Sequence, residues 1–429
     1  MVSAKKPVTL GLIGFGNVGR GVYEIIHTNR DTIEQRLGRP VVIKTICVRH
    51  VAKYQVENIR VTDVIDDILT DPDIDIVVEV MGGHEPACDY IKRALQHKKY
   101  VVTANKDLIA KHKKTFFELA EKNGVDIFFE ASVGGGIPII KSFKVGYSAN
   151  QIESVYGILN GTTNFILTQL YEEKKEFSDA LKAAQDKGFA EADPTSDISG
   201  LDSAYKIVIL TAVALKRNIQ IEDVYYEGIA DIQYTDIAHL DTFGYRVRLI
   251  AKAKRVASDS VFVAVYPTAI PAAHPLAMVR NEFNAIYSTG NMVGESMIYG
   301  KGAGSLPTGS AILSDILDIA FDSSTHRSRR NLESHLNDAR VLPMSDNRSQ
   351  FYMRLSVQDA PGVLQGICTK CNDALVSIKR INQYETRSDC MDVVIITDTI
   401  CESVFTDLKA TLLAEPSVYG VESVIRVGL

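Results

Sequence analysis

Three patterns predict an α/β chain in which a doubly wound parallel sheet is followed by an α+β segment and a small βαββαβ module. Over roughly the first 145 residues, short β-rich runs alternate with helical stretches, the pattern of a parallel sheet covered by helices. A G-x-G-x-x-G follows the first run. In residues 350–429 the apolar rhythm switches between strand and helix periods in the order βαββαβ.

Within residues 1–145 the expected strands are Val8 to Ile13, Val41 to Val48, Ile74 to Val80, Tyr100 to Thr103 and Asp126 to Glu130. Helices fall between them, for instance Gly19 to Asn29 and Lys111 to Asn123. Over residues 146–292 longer helices mix with alternating strands such as Ser260 to Tyr266 and Ala285 to Thr289, so a second domain is expected. A glycine-rich turn then feeds a helix across Lys301 to Ala320, and residues 293–321 are expected to return to the first domain. Residues 322–349, rich in Ser, Asn, Asp and Arg, are the expected linker. Beyond it Phe351, Met353, Leu355 and Val357 alternate with Tyr352, Arg354, Ser356 and Gln358, which predicts a half-buried strand. Helix Val363 to Leu375, strands Ser377 to Thr386 and Met391 to Thr397, helix Val404 to Ala414 and strand Tyr419 to Val427 complete a ferredoxin-like module, expected to be a separate domain.

Composition excludes several classes. The 429 residues exceed what one core organises, and 46% apolar with 23% charged residues is the balance of a globular chain. Lys and Arg number 47 against 53 Asp and Glu, a net charge of −6 that disfavours nucleic acid as a partner. The apolar run Ile207 to Leu215 falls short of the roughly 20 residues that span a bilayer, so no membrane association is expected. Lys5 and Lys6 before VTLGLIGFG imitate a signal peptide, but the run passes into glycines without a small-residue cleavage site and is expected to be a strand. The six cysteines are sparse, which points to a reducing cytoplasm. Cys368 and Cys371 form a C-x-x-C inside an apolar helical pattern and are read as helix packing.

Gly14-Phe15-Gly16-Asn17-Val18-Gly19 sits between an expected strand and an expected helix, the context of a Rossmann-type dinucleotide loop. Its glycines permit a tight turn and close approach of backbone to pyrophosphate, and the helix N-terminus offers free N–H groups. An NAD-specific site ends its second strand in an acidic residue. Here that strand runs into Arg49, His50 and Lys53. Cations there suit a 2′-phosphate, so NADP is expected alongside NAD; the bland alternative is a solvated basic face. Gly82-Gly83 and Thr103-Ala104-Asn105-Lys106 fall at strand ends where ligands bind in such sheets.

The most informative stretch is Ala184 to Lys206. Gly188, Glu191, Asp193, Asp197 and Gly200 crowd polar and turn residues before a helix expected to start near Ser199, striped by Leu201, Tyr205, Val208, Ala212 and Leu215. Asp202 and Lys206 lie one turn apart on it. A carboxylate-rich turn of this kind suits a substrate with an ammonium group, whereas an isolated pair would read as a surface ion pair.

The pattern A-x3-G, a spacer, then D-P-x2-D-hydrophobic-x-G-x-D-x3-K, matched by Ala184, Gly188, Asp193, Pro194, Asp197, Ile198, Gly200, Asp202 and Lys206, resembles the homoserine dehydrogenases. VVEVMGG, VVTANKDLIA, EASVGGGIPII and LNGTTNFIL extend the resemblance over most of residues 8–320. It implies an α+β catalytic and dimerisation domain and reversible hydride transfer between L-homoserine and NAD(P), with L-aspartate 4-semialdehyde as the oxidised partner, in threonine, methionine and isoleucine biosynthesis. Lys206 would be the acid in reduction and the base in oxidation, with Lys106 between nicotinamide and substrate. Asp202, Glu191, Asp197, Gly161 and Thr162 would hold the amino acid. Gly82, Thr103, Gly188 and Gly302 would join the glycine loop and Arg49 in binding cofactor. The resemblance further implies a monovalent cation, sodium in most members, on backbone carbonyls of Glu130, Val133, Gly135 and Ile137. Residues 350–429 resemble an ACT domain, with Asp359-Ala360-Pro361-Gly362 as its D-x-P-G loop. That implies L-threonine as effector and a homodimer or homotetramer, although such a module can also serve only to pair subunits. A non-catalytic amino-acid sensor is the competing reading, against which the intact Lys206, Asp202 and glycine loop argue.

Overall fold

The computed structural model describes residues 6–325, 336–387 and 389–429. Residues 1–5, at the start of the expected cofactor domain, and 326–335, inside the expected linker, lie outside the described residues. Two compact units emerge, one from Met1–Val155, Tyr205–Ile221 and Asn284–Ala339, the other from Tyr156–Ala204, Glu222–Phe283 and Arg340–Leu429.

The first unit holds a parallel six-stranded sheet in the order Arg60–Thr62, Val41–Cys47, Val8–Ile13, Ile76–Glu79, Tyr100–Thr103, Ile127–Phe128. Val8–Ile13 is buried along its whole length, as its unbroken apolar run requires of a central parallel strand. The strand order reverses on its two sides, so the topological switch point lies between Val8–Ile13 and Ile76–Glu79. The core joins Leu10, Leu12, Ile46 and Val78 to Val22 and Ile26 of helix Asn17–Thr28 and to Ile312, Ile316 and Ile319 of helix Ser305–Thr325. Helix Ser305–Thr325 thus packs on the parallel sheet. Two glycines permit it: a Cβ on Gly21 would lie 2.4 Å from the Ser305 carbonyl, and one on Gly309 would lie 3.0 Å from Gly21.

Helix Lys106–Asn123 begins five residues before its expected start at Lys111. Asn105 caps it by accepting from the Leu108 N–H, and Gly124, at φ 69°, ends it. Arg60–Thr62 was not among the expected strands; at three residues it is too short to declare itself by alternation.

In the second unit, Tyr245–Arg255 and Ser260–Pro271 pair antiparallel over eleven residues. Arg348–Gln358, helix Val363–Asp373, Ile378–Arg387, Cys390–Thr397, helix Glu402–Leu413 and Val418–Val427 give the expected βαββαβ order. Phe351, Met353, Leu355 and Val357 fill this module's core together with Ile367, Phe405 and Leu408. Cys371 is buried in the same core, while Cys368 is exposed on the same helix.

The other face of Arg348–Gln358 corrects the half-buried expectation. Tyr352 is 0% and Arg354 6% exposed. Both meet helix Tyr234–Thr242: Arg354 Nε donates to Asp236 Oδ1 at 2.7 Å and Tyr352 Oη donates to the same oxygen at 2.9 Å. Arg354 also reaches Gln233 at 2.7 Å and Asp392 at 3.1 Å. The module is continuous with the unit's sheet, because Val418–Val427 pairs parallel to Ser260–Pro271 through Thr268–Arg426 and Ala269–Val427. It thus belongs to a larger compact unit. The interior arginine that joins it to the rest looks, in the sequence, like any outward-facing strand residue.

Candidate functional site

In the first unit the glycine loop, Arg49, Gly82, Thr103 and Lys106 lie at the carboxyl ends of the parallel strands, whereas Gly188 belongs to the second unit and Gly302 follows strand Gly294–Lys301. Gly14 adopts φ 100°, and a Cβ there would lie 2.7 Å from the Val80 carbonyl. A Cβ on Gly19 would lie 2.7 Å from the Gly14 carbonyl, so this glycine lets helix Asn17–Thr28 sit close on the strand. Gly16 has nothing within 4 Å of where its Cβ would be, and no side chain caps the helix that starts behind it. This open cradle, with uncapped N–H groups, fits a pyrophosphate. Phe15 is buried edge-on against Tyr23 and Tyr54, while Val18 is partly buried against the core. The Asn17 carbonyl accepts from Ser305 Oγ at 2.6 Å. Arg49 is exposed just beyond Val41–Cys47.

Gly82, at φ 70°, follows Ile76–Glu79, and Thr103 ends the neighbouring strand. A residue of the VVEVMGG run, given no role of its own by the sequence, ties these two loops together. Glu79, 0% exposed, accepts from the Met81 N–H at 2.9 Å and from Thr103 Oγ1 at 2.6 Å. The Thr103 hydroxyl is therefore turned into the protein. Burial pushes the Glu79 carboxyl above its ordinary pKa, against the pull of these hydrogen bonds. Lys106 is the first residue of its helix, with Nζ 3.8 Å from Asp107.

Glu130 and the loop after it lie in the same unit. The Glu130 carboxylate accepts from the Ile140 and Lys141 N–H groups at 2.8 and 2.7 Å, and its own N–H donates to Asp315 at 2.9 Å. Its side chain is thus committed to capping the turn Ile139–Lys141. The Ile137 carbonyl accepts from Ile139 N–H at 2.7 Å, and that of Glu130 accepts a long bond from Val133 N–H. Gly134 and Gly135, at φ 75° and 52°, turn the loop, and a Cβ on Gly135 would lie 2.5 Å from the Gly302 carbonyl. Asn284 packs against Gly302 with both amide atoms buried and unpartnered. Among the described residues no group of three or more His, Cys, Asp or Glu could hold a metal, so any cation here would rest on backbone oxygens.

Burial pushes Glu130 up to about 7 and, with the neighbouring Glu130 charge, lifts Asp315 well above the carboxylate range. A carboxyl whose folded pKa exceeds its unfolded one contributes stability below the unfolded value and loses it as pH rises through the folded value. Urea midpoints should therefore fall between about pH 5 and pH 8, and Asp315→Asn should flatten that slope. An unaltered slope in the variant would remove this pair as its source.

The second unit assembles the carboxylate-rich turn. Asn160, 5% exposed, caps helix Gly161–Glu172 by accepting from Thr163 N–H at 2.8 Å. Its Nδ2 donates to Asp197 at 2.7 Å and to Asp202 at 2.9 Å. The predicted carboxylates are thus gathered on one amide that the sequence reading did not select, although it lies in the quoted LNGTTNF run. Thr162 Oγ1 donates to the Phe189 carbonyl at 2.6 Å, and a Cβ on Gly161 would lie 2.7 Å from the Glu282 carbonyl. Gly188, at φ 73°, has open space around it. Glu191 is exposed and is not brought to Asn160 by any observed bond; its backbone carbonyl accepts from Gln185. Asp202 is 7% exposed, and Lys206, half-buried, follows it by one turn of helix Leu201–Leu215. That helix is buried all round from Ile207 to Leu215 and so is broader in its apolar contact than the expected stripe.

The family model "Homoserine dehydrogenase, NAD binding domain" matches residues 14–130, and "Homoserine dehydrogenase" matches 138–317. A homoserine dehydrogenase of Bacillus subtilis is 39% identical over 98% of both chains. The chain belongs to the homoserine dehydrogenase family. A crystal structure of a homoserine dehydrogenase from Thiobacillus denitrificans covers 99% of both chains at 38% identity, with a TM-score of 0.93. A hyperthermophilic archaeal homoserine dehydrogenase in complex with NADPH covers 74% of this chain and 98% of its own, at 27% identity and a TM-score of 0.62. The activity of the chain is that of the family, an NAD(P)-dependent oxidoreduction. Among the described residues no helix is long and apolar enough to cross a membrane.

Proposed function

We propose that the chain interconverts L-aspartate 4-semialdehyde and L-homoserine, with Lys206 moving the proton at the substrate's C4 oxygen. Asp202 and Lys206 stand one turn apart on a single helix, and Asn160 draws Asp197 to Asp202; this arrangement carries the reading. The carboxylates of Asp202, Asp197 and Glu191 orient the substrate ammonium, and Gly161 and Thr162 shape the wall. Lys106 would hold the substrate toward the nicotinamide when the cofactor is bound. When bound, the nicotinamide supplies or accepts the hydride. Mixing purified protein with L-homoserine and NADP or NAD at alkaline pH should give reduced nicotinamide absorbance; silence with both cofactors would defeat the reading.

NADP is accepted through Arg49, which stands where an NAD-specific site has an acid. Gly188 and Gly302 complete the cofactor contacts. Arg49→Ala should raise KM for NADP about tenfold, the loss of one charge-assisted hydrogen bond, and leave NAD little changed. Equal changes for the two would exclude Arg49 as the 2′-phosphate contact. A monovalent cation, Na+ in the first instance, would be held by the carbonyls of Glu130, Val133, Gly135 and Ile137; the left-handed Gly134 and Gly135 support this by bending the loop. Residues 350–429 act as an ACT domain that takes L-threonine at Asp359–Gly362, a loop leading into an uncapped helix N-terminus at Val363. A homodimer or homotetramer in the cytoplasm is the working assembly, in keeping with exposed Met297 and Tyr299 on strand Gly294–Lys301.

A further inference from the structure

The second unit contains a cavity of about 260 Å³ that neither the cofactor loop nor the Asn160 cluster uses. Strand Tyr245–Arg255 forms one wall. Its Lys252 and Lys254 lie opposite Ala264 and Phe262, and Ile250 opposite Tyr266, so all these residues share one face of the hairpin. Asn347, Arg348 and Ser349, at the start of strand Arg348–Gln358, form another.

Lys252 is the anomaly. It is 5% exposed, yet Nζ has only the Gly428 carbonyl at 3.4 Å and the Tyr266 ring at 4.5 Å. No carboxylate pairs with it among the described residues. The charge that reaches it is a like one, Arg426, itself held by Glu402 and Glu227. Burial, then that neighbour, pull the Lys252 pKa down to about 7. Among the described residues no Asp or Glu side chain lines the cavity. A buried ammonium is costly unless paired and hydrogen-bonded.

We propose that this cavity is a binding site for a small oxyanion, a carboxylate or a phosphate. Lys252 is its buried cation, Lys254 and Arg348 its outer ones, and Asn347, Ser349 and the Tyr266 hydroxyl supply hydrogen bonds. Arg348 is available for this, because it is exposed and makes no ion pair among the described residues; it donates to the Thr399 carbonyl over a long 3.4 Å and otherwise only to Cys401 Sγ, a weak acceptor. The site is independent of the catalytic reading, since none of its residues belongs to the proposed active centre.

The test is thermal denaturation of the full-length protein, with saturating NADP filling the glycine loop. Inorganic phosphate and acetate are titrated separately against chloride at matched ionic strength. A ligand of the folded state raises the midpoint in proportion to its binding. At least one oxyanion should raise the midpoint beyond chloride, and the stronger of the two identifies the preferred chemistry. Lys252→Met and Arg348→Ala should each weaken that apparent affinity about tenfold, the worth of one charge-assisted hydrogen bond. Because Arg348 is exposed, its variant remains informative if Lys252→Met misfolds. Shifts no larger than those with chloride, or an affinity unchanged in Arg348→Ala, would overturn the proposal.

Discussion

Lys206→Ala is expected to lower kcat by about 10²- to 10⁴-fold, the range that a positioned general acid or base supplies, while NADPH affinity stays within about a factor of two. The fold should tolerate the change: Lys206 is half-buried on helix Leu201–Leu215, and alanine is the best helix former. Lys206→Arg makes the test sharper. It keeps the positive charge but cannot give up its proton near neutral pH, so it should be as inactive as alanine. An arginine variant that retained most of the rate would mean that position 206 supplies charge alone. NADPH titration by fluorescence alongside the kinetics separates loss of chemistry from loss of cofactor.

The second large effect is on stability. Asp236→Ala should cost about 3–5 kcal/mol, because it leaves Arg354 buried with a lost charge partner and Tyr352 without its acceptor. The penalty comes from weakened pairing of the Arg354 charge, so Asp236→Ala should cost much less in an Arg354→Met background, where Asp236 has already lost its cation. Urea denaturation measures both. A single-variant loss below about 1 kcal/mol would show that Asp392 and Gln233 suffice for Arg354. Truncation before residue 350 is a poor test of effector control for the same reason. It would remove Arg354 and strand Val418–Val427 from a sheet that continues through Ser260–Pro271.

Much of the fold was legible because its signals are local. Val8–Ile13 and Tyr100–Thr103 fall where their β-rich runs predict, and the βαββαβ order of residues 350–429 follows from periodicity. The glycines at 14, 16 and 19 announced their use because a tight turn and a close approach need that residue type whatever lies around them. Helix Lys106–Asn123 starts five residues before its expected Lys111, because its early start depends on Asn105, whose capping role is one of several that an asparagine can take. Asn160 had a weaker signal, an amide just before a helix and within a quoted run. Glu79 also lay within a quoted run, VVEVMGG, but an acidic residue ending a strand looks solvated until the Thr103 hydroxyl and Met81 N–H are seen to turn toward it.

By itself the sequence determined the order of elements, the dinucleotide loop and the placing of Asp202 one helical turn before Lys206. Each depends on residues within about one turn of helix or a few strand positions, where covalent connection fixes the geometry. Only the tertiary structure decided that one amide gathers Asp197 and Asp202 and that Arg354 points inward. Those partners lie 37, 42 and 118 residues apart along the chain. At such separations neither spacing nor periodicity constrains which side chains meet; burial does, by making an unpaired polar group too costly to leave alone.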